Sequence, residues 1–366
     1  MGQQQQEEQQ QPEQQNRSGP PRLWFFKDRP YFDSISTDPR AALIQLQIAN
    51  SAPIPYDTSN GCRECSGYTV PGRRAVWGLR IGHELPVLGF QTGNYVTGRG
   101  VAPRGFGVGL WLPLGFQMVH TLLKDSNLIS GEYLYGVMLK AQYGFEDSHI
   151  GLRLAIAHEA ANTGAEFAQR AIVEFPTPIR FEDERVKLGP HFIHIQVSHD
   201  FWDLGASFEP NFRNSRIQLT LRGGYLGLFS HSGWYGRNAI YPILFDALQQ
   251  SHGAPVYPSR RNYEPYGSLE ILIVREQIDK PAPFLSLDVR DRTVFRYLFT
   301  GNPPISAPED SQVSLNAMVG LRMRKLGAQI QPTFFGRFYH GVNPAGQFQS
   351  QKNYNLLAAG VQFDFK

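Results

Sequence analysis

The sequence predicts an all-β fold, a single antiparallel transmembrane β-barrel of about twelve strands behind a disordered N-terminal tail. Three observations predict it. Most of the chain falls into runs with apolar residues at every second position, the period of a strand with one apolar face. The runs are even in number, and their connections alternate between long and short, as the two unlike ends of a closed barrel require. Charged residues make up only 18% while aromatics reach 13% and glycines number 36, a composition that suits an apolar exterior with aromatic girdles.

The chain has 366 residues, enough for one large domain or two ordinary ones. No apolar run approaches the ~18–20 residues of a membrane helix, whereas barrel strands need only ~9–11 alternating residues. A net charge of +3 gives no argument for nucleic acid. Residues 1–20 are rich in Gln and Glu, cannot bury a core, and are expected to be disordered. No signal peptide is visible, so the chain reads as one whose signal has been removed. Residues 21–40, with Leu-Trp-Phe-Phe at 23–26, read as a periplasmic lead-in or plug, and residues 41–366 as the barrel.

The first strand sets Ile44, Leu46 and Ile48 against Leu43, Gln45 and Gln47. The second sets Trp77, Leu79 and Ile81 against Gly78, Arg80 and Gly82, with His83–Pro86 as a kink or bulge within one long strand. The third is the clearest apolar series, Phe106 to Met118. The fourth alternates Tyr133, Tyr135, Val137 and Leu139 with Gly136, Met138 and Lys140, and the fifth sets Ile150, Leu152, Leu154 and Ile156 against Gly151, Arg153 and Ala155. The sixth covers Ile193–Ser198, the seventh Ile217–Arg222 and the eighth Leu269–Ile273. Leu285–Arg290, Val313–Arg322, Ile330–Phe338 and Asn353–Phe365 complete the set. Stretch 239–250 reads as a candidate short helix. With the first strand running outward, the connections at 50–72, 158–187, 231–262, 301–310 and 341–351 fall outside, and those at 145–148, 278–283 and 325–327 inside.

Strand parity turns Arg80, Lys140, Arg153, Arg222, Glu270, Asp288, Arg290, Arg322 and Arg337 inward. Two readings of this set stay open. Like charges around a lumen set pore selectivity and would favour anionic solutes; alternatively, Arg–carboxylate ladders fill a barrel of this size with its own side chains. His158 continues the outward parity of Ile156 and belongs on the outer surface near the rim. Glu159, Asn162 and Glu166 accompany it as polar rim candidates. Outer-membrane lipid hydrolases resemble this geometry with a His-x-Ser pair, but Ala160 stands at the second position and supplies no nucleophile. Ser198-His199-Asp200 forms a triad only in one dimension, because adjacent strand residues point to opposite faces. No complete catalytic constellation, cofactor fingerprint or metal-spaced cluster is present. Cys62 and Cys65 are the only cysteines. A zinc site lacks further ligands, and haem attachment lacks a His at position 66. A short disulfide is the preferred reading, with a reduced pair as the alternative.

The final strand carries Gly360, Phe363 and Phe365, and Gly-x-x-Phe-x-Phe at a chain end resembles the C-terminal assembly signal of bacterial outer-membrane barrels. A second resemblance rests on residues 32–40 (Phe-Asp-Ser-Ile-Ser-Thr-Asp-Pro-Arg), on 153–167 with His158, Gly164, Glu166 and Phe167, and on Gly346-Gln347-Phe348. Together they resemble the uncharacterised DUF1207 family of outer-membrane proteins, from which Ala160, Ala161 and Asn162 depart. The resemblance implies an outer-membrane barrel and no activity. The expected location is the outer membrane of a Gram-negative-type bacterium with both termini periplasmic. The expected partners are outer-membrane lipid, the barrel-assembly machinery, and a periplasmic or membrane protein reached through residues 1–40. The expected function is non-enzymatic: a narrow porin-like channel with a mildly basic lumen, or a structural or interaction component. A lipid-modifying hydrolase with a rim site at His158 and a soluble all-β binding protein are the alternatives.

If Asn353–Phe365 closes the barrel, deletion of Phe363–Lys366 abolishes assembly. The readout is heat-modifiable gel mobility of membrane fractions, and normal insertion of the truncated chain counts against the barrel.

Overall fold

A computed structural model describes residues 22–25, 43–51, 74–92, 105–122, 128–145, 148–163, 195–210, 216–229, 241–242, 263–273, 281–293, 311–323, 330–344 and 353–365. Among the described residues every regular element is a strand. In chain order these are β1 (Arg22–Phe25), β2 (Leu43–Ser51), β3 (Arg74–Gln91), β4 (Gly105–Thr121), β5 (Leu128–Gly144), β6 (Ser148–Thr163) and β7 (Ile195–Pro210). There follow β8 (Ile217–Leu228), β9 (Tyr241–Pro242), β10 (Tyr263–Ile273), β11 (Ala282–Thr293), β12 (Ser311–Arg322), β13 (Ile330–Gly341) and β14 (Tyr354–Phe365).

Two-residue alternation decides how these strands can be used. Each has one apolar and one more polar face, so a sheet made from them must hide one face from the other's solvent. Closing the sheet does this. The strands from β2 to β8 and from β10 to β14 pair antiparallel with their chain neighbours, β8 meets β10, and β14 returns to β2. The result is a closed barrel of 12 strands. At the seam, Phe363 faces Ile44, Val361 faces Leu46 and Ala359 faces Ile48.

The apolar face is outside. Leu46 and Ile48 on β2, Val137 and Leu139 on β5, Leu152, Leu154 and Ile156 on β6, Val319 on β12, Phe334 on β13 and Leu357 on β14 are all exposed. Every barrel strand contributes to this belt, an exposed apolar surface far larger than soluble monomers carry. Aromatic residues gather towards its two margins. Near the end bearing connections 164–194 and 230–262, Trp202, Tyr225 and Tyr263 form a stacked row with ring centroids 5.5 Å apart. Towards the other end, Tyr143 meets Phe145 edge-on at 4.8 Å. Tyr135 and Tyr143 on one strand stand about 20 Å apart along the axis at ordinary rise and tilt, close to the height of a barrel's apolar band.

Strand β3 is one continuous strand with a register shift between Pro86 and Leu88, so proline sits beside a bulge, where it is tolerated. Continuity here fixes which end each connection leaves from. Connections 146–147, 211–215, 274–280 and 324–329 leave from the end where β2 begins and β14 finishes, as does 93–104, whereas 52–73, 164–194 and 230–262 leave from the other, as does 123–127. β3 also reaches beyond β2, and there β1 pairs along it, Leu23 with Phe90 and Phe25 with Leu88.

Three details differ from the sequence expectation. β7 runs to Pro210, well past Ser198, because Trp202, Leu204 and Phe208 set up an outward series on the even positions, opposite to the odd positions Ile193, Ile195 and Val197 that the sequence pattern marks as the apolar face. β6 continues to Thr163, so residues 158–163 belong to the wall. Within 239–250, Tyr241–Pro242 pair with Ile195–Gln196 as a strand, not a helix; the rest of that stretch lies outside the described residues.

Gly360 sits where β14 passes β2. A Cβ there would collide with the Leu46 carbonyl and lie 2.8 Å from Phe335 Cζ. One strand away, a Cβ at Gly336 would meet nothing within 4 Å. Gly360→Ala is expected to cost about 1–3 kcal/mol of stability, and Gly336→Ala to stay within about 0.5 kcal/mol. Urea unfolding of the detergent-folded protein, followed by tryptophan fluorescence, measures the pair; equal midpoints contradict the packing assigned to the seam.

Candidate functional site

The interior has two halves of different character. Towards the short-turn end the lumen is filled. Leu272, Phe284, Met318 and Phe335 form a buried apolar cluster from four consecutive strands, and Trp111, Met138 and Ala155 form another. Ion pairs occupy the space between these clusters. Arg153 Nη2 donates to Asp203 Oδ2 at 2.8 Å and to Tyr266 Oη at 3.0 Å, while the Tyr266 hydroxyl donates to Asp203 Oδ1 at 2.8 Å. Tyr266 reaches across two strands because Gly205 and Gly224 lie beneath it; a Cβ at Gly205 would stand 2.6 Å from its hydroxyl. Arg290 covers the Tyr266 ring at 4.8 Å. Arg322 Nη2 donates to Glu270 Oε1 at 2.8 Å and lies over Phe284 at 5.5 Å. Lys140 pairs with Glu84 and stands 5.2 Å above Trp111. Ser268 Oγ donates to Asp288 Oδ2 at 2.7 Å.

The nine inward residues expected from parity are accordingly on the interior face. Arg80, Lys140, Arg153, Arg222, Glu270, Asp288, Arg290 and Arg322 are buried, and Arg337 is half-buried. Sequence reasoning missed several acids on the same face: Glu84, Glu132, Asp203, Glu264 and Asp364. Several of them pair with or face the basic groups along the described wall. Strand ends explain the omissions. Glu132 and Glu264 continue the inward parity of β5 and β10 beyond the segments that the apolar pattern delimits, and Glu84 is hidden by the proline two residues later; Asp203 shares the parity of Ile195 and Val197, which the apolar pattern turns outward, so the faces of β7 are the reverse of that expectation. A longer parity count would have found Glu132 and Glu264 but not Asp203.

Towards the long-connection end the interior is incompletely filled. A cavity of about 120 Å³ is bounded by Gln47, Arg80, Glu132, Glu159, Arg292 and Arg337, among others. It exists because Gly78, Gly82 and Gly115 occupy its wall and bring no side chain.

The rim candidates separate. His158 faces outward and is half-buried. Its Nδ1 lies 2.7 Å from Asp200 Oδ1, its direct cross-strand partner, and its ring lies 5.0 Å from that of Tyr135 on the other side. Asp200, the third member of the one-dimensional triad, is thus used by His158 across the strands. Such a pair can orient an imidazole and hold a proton; attack on a substrate needs a nucleophile as well. Register sets Ser198 opposite Ala160. Glu159 points the other way, into the cavity. Asn162 lies on β6 without a described side chain, and Glu166, Cys62 and Cys65 lie outside the described residues. Among the described residues no group of three or more His, Cys, Asp or Glu could hold a metal ion.

No protein-family profile matches the chain, and no curated protein matches it. Solved structures similar to it include the translocator domain of autotransporter NalP from Neisseria meningitidis, with 11% identity over 90% of this chain and 90% of that one and a TM-score of 0.36. The β-domain of the Bordetella autotransporter BrkA shares 9% identity over 88% of this chain and 98% of that one, with a TM-score of 0.35. The Pseudomonas putida toluene transporter TodX shares 9% over 87% and 78%, with a TM-score of 0.34. The fold assignment stands on the strand register alone.

Asp203 compensates a buried guanidinium. Asp203→Ala is expected to destabilise the barrel by about 3–5 kcal/mol, and a joint Arg153→Met, Asp203→Leu replacement to recover most of that loss. Denaturant midpoints of the two variants against the wild type read the coupling; a joint replacement no more stable than Asp203→Ala would remove the ion pair from the account of the interior.

Proposed function

We propose that this chain is an outer-membrane β-barrel with a non-enzymatic role, closed at rest by its own side chains. The observation that carries the reading is the burial of polar groups inside. Lys140 and Gln362 are each 1% exposed, and Ser286 and Thr333 are at 0%. Groups lining a water-filled pore would be accessible, as in large porins; a barrel of this strand number can be filled by its own residues. The apolar belt and its aromatic margins support membrane insertion. Short turns at the end shared by the β2 start and the β14 finish support periplasmic termini and long outer connections.

The role best suited to this interior is structural or interactive, with connections 164–194 and 230–262 available to partners on the outer side and residues 1–40 on the inner. A relation to DUF1207, a Cys62–Cys65 disulfide in that oxidising location, and insertion by the barrel-assembly machinery belong to the same proposal.

Planar-bilayer recording tests it. The purified barrel is expected to give no steady conductance at low voltage. A steady conductance that falls on charge reversal at Arg153 or Arg222 would overturn the closed reading in favour of a channel.

A further inference from the structure

We infer that the outward-facing His158–Asp200 pair is a headgroup site for a membrane lipid that carries a primary ammonium, as phosphatidylethanolamine does. The inference goes beyond the closed-barrel reading and rests on that reading only for the membrane; it makes no use of the lumen.

The argument begins with depth. The outward series of β7 includes Phe208, Leu204, Trp202 and Asp200. Phe208 and Leu204 are exposed in the apolar belt, and Trp202 belongs to the stacked aromatic row at its margin. Asp200 is the next outward position beyond that row, about 5 Å further along the axis at ordinary strand rise and tilt. Aromatic girdles stand at the level of the lipid headgroups. A carboxylate at this depth meets phosphate and ammonium groups; among acyl chains it would be costly.

The second step is charge. His158 Nδ1–H donates to Asp200 Oδ1 at 2.7 Å across the β6–β7 ladder. The two side chains stay 26% and 29% exposed, so the pair is presented to the bilayer. Around Asp200 the register sets Ile156, Ala160 and Trp202 on the same face, and Phe229 lies beside it on β8. None of the four carries a charge. A carboxylate so placed attracts a cation. A metal ion wants more ligands than this pair offers, and no group of three His, Cys, Asp or Glu gathers among the described residues. A primary ammonium is better matched. It donates N–H to the carboxylate, and its cationic end is attracted to aromatic rings. Tyr135 is 53% exposed with its ring 5.0 Å from that of His158, and Trp202 flanks the other side. Ala160 brings only a methyl between Tyr133 and position 198, which leaves a headgroup room to reach the pair from the margin. His158 is a positioning residue in this site, since it holds the carboxylate that binds. By contrast, His340 on β13 faces outward with a neutral partner, the Asn355 amide oxygen at 2.7 Å.

The experiment is native mass spectrometry of the full-length, detergent-folded barrel. Phosphatidylethanolamine, phosphatidylcholine and phosphatidylglycerol with identical acyl chains are titrated in turn. The wild type is expected to bind phosphatidylethanolamine most tightly, because choline has no N–H to donate and glycerol no charge. Asp200→Asn is expected to weaken phosphatidylethanolamine by about fivefold and to abolish the preference over phosphatidylglycerol. His158→Gln is expected to reduce the preference by less, and His340→Gln to leave it unchanged. Heat-modifiable mobility checks the folding of each variant; if Asp200→Asn does not fold, His158→Gln decides. Equal affinity of the wild type for the three lipids, a preference that survives in Asp200→Asn, or the same loss in His340→Gln would overturn the site. A wild type that never acquires heat-modifiable mobility would overturn the membrane reading, and this site with it.

Discussion

Main-chain hydrogen bonding is the constraint on which the rest of this structure depends. A sheet with an apolar outer face cannot leave N–H and C=O groups unpaired at an edge that meets lipid. The β2–β14 ladder removes that edge, and everything else follows from the cylinder it completes. Closure fixes an inside and an outside. Two-residue alternation then sends Leu357 and Ala359 outward and Leu356 and Ala358 inward from the same strand. A register slip of one residue at the seam would exchange these faces. Gly360, crowded by the Leu46 carbonyl and the Phe335 ring, lets the two strands pass at the observed register without a clash.

Closure also imposes the chemistry of the interior. Inward positions are fixed by parity whatever residue occupies them, so charged groups cannot turn away to water once the lumen is narrow. They must find one another across strands. The pairs that result join residues far apart in sequence, such as Lys140 with Glu84 and Arg322 with Glu270. Glycine is the complement of these long side chains. Gly205 and Gly224 give Tyr266 its place over the Arg153–Asp203 pair, whereas Gly78, Gly82 and Gly115 leave a volume that nothing in the described chain fills.

The alternation made the strands and their faces legible, because period two is a property of neighbours along the chain. The long β3 was legible for the same reason, once Pro86 was allowed as a bulge. What joins strand to strand was not. That His158 would meet Asp200 depends on the offset between β6 and β7, which is set after a long connection and leaves no mark in either strand. Strand ends were equally obscure. Asp200 and Gly205 weaken the apolar pattern of β7, and Pro265 and Gly267 that of β10, so Asp203, Glu264 and Tyr266 fell outside the segments read from sequence. The separation of His158 from Glu159 was readable in principle, since it needs only the strand to continue past Ile156.

The stagger of the barrel has a further consequence at β3. This strand extends beyond β2, which leaves part of its length with β4 on one side and no barrel strand on the other. Such a ledge is the kind of open edge that recruits stray chains into continuous sheets. β1 lies along it from Leu88 to Gln91, turning Leu23 and Phe25 to the same side as Phe90. The segment ahead of the barrel thus acts there as a guard strand, occupying hydrogen-bonding positions that a neighbouring protein could otherwise take. A chain that travels with an apolar exterior before it reaches lipid has particular need of such protection against its own copies.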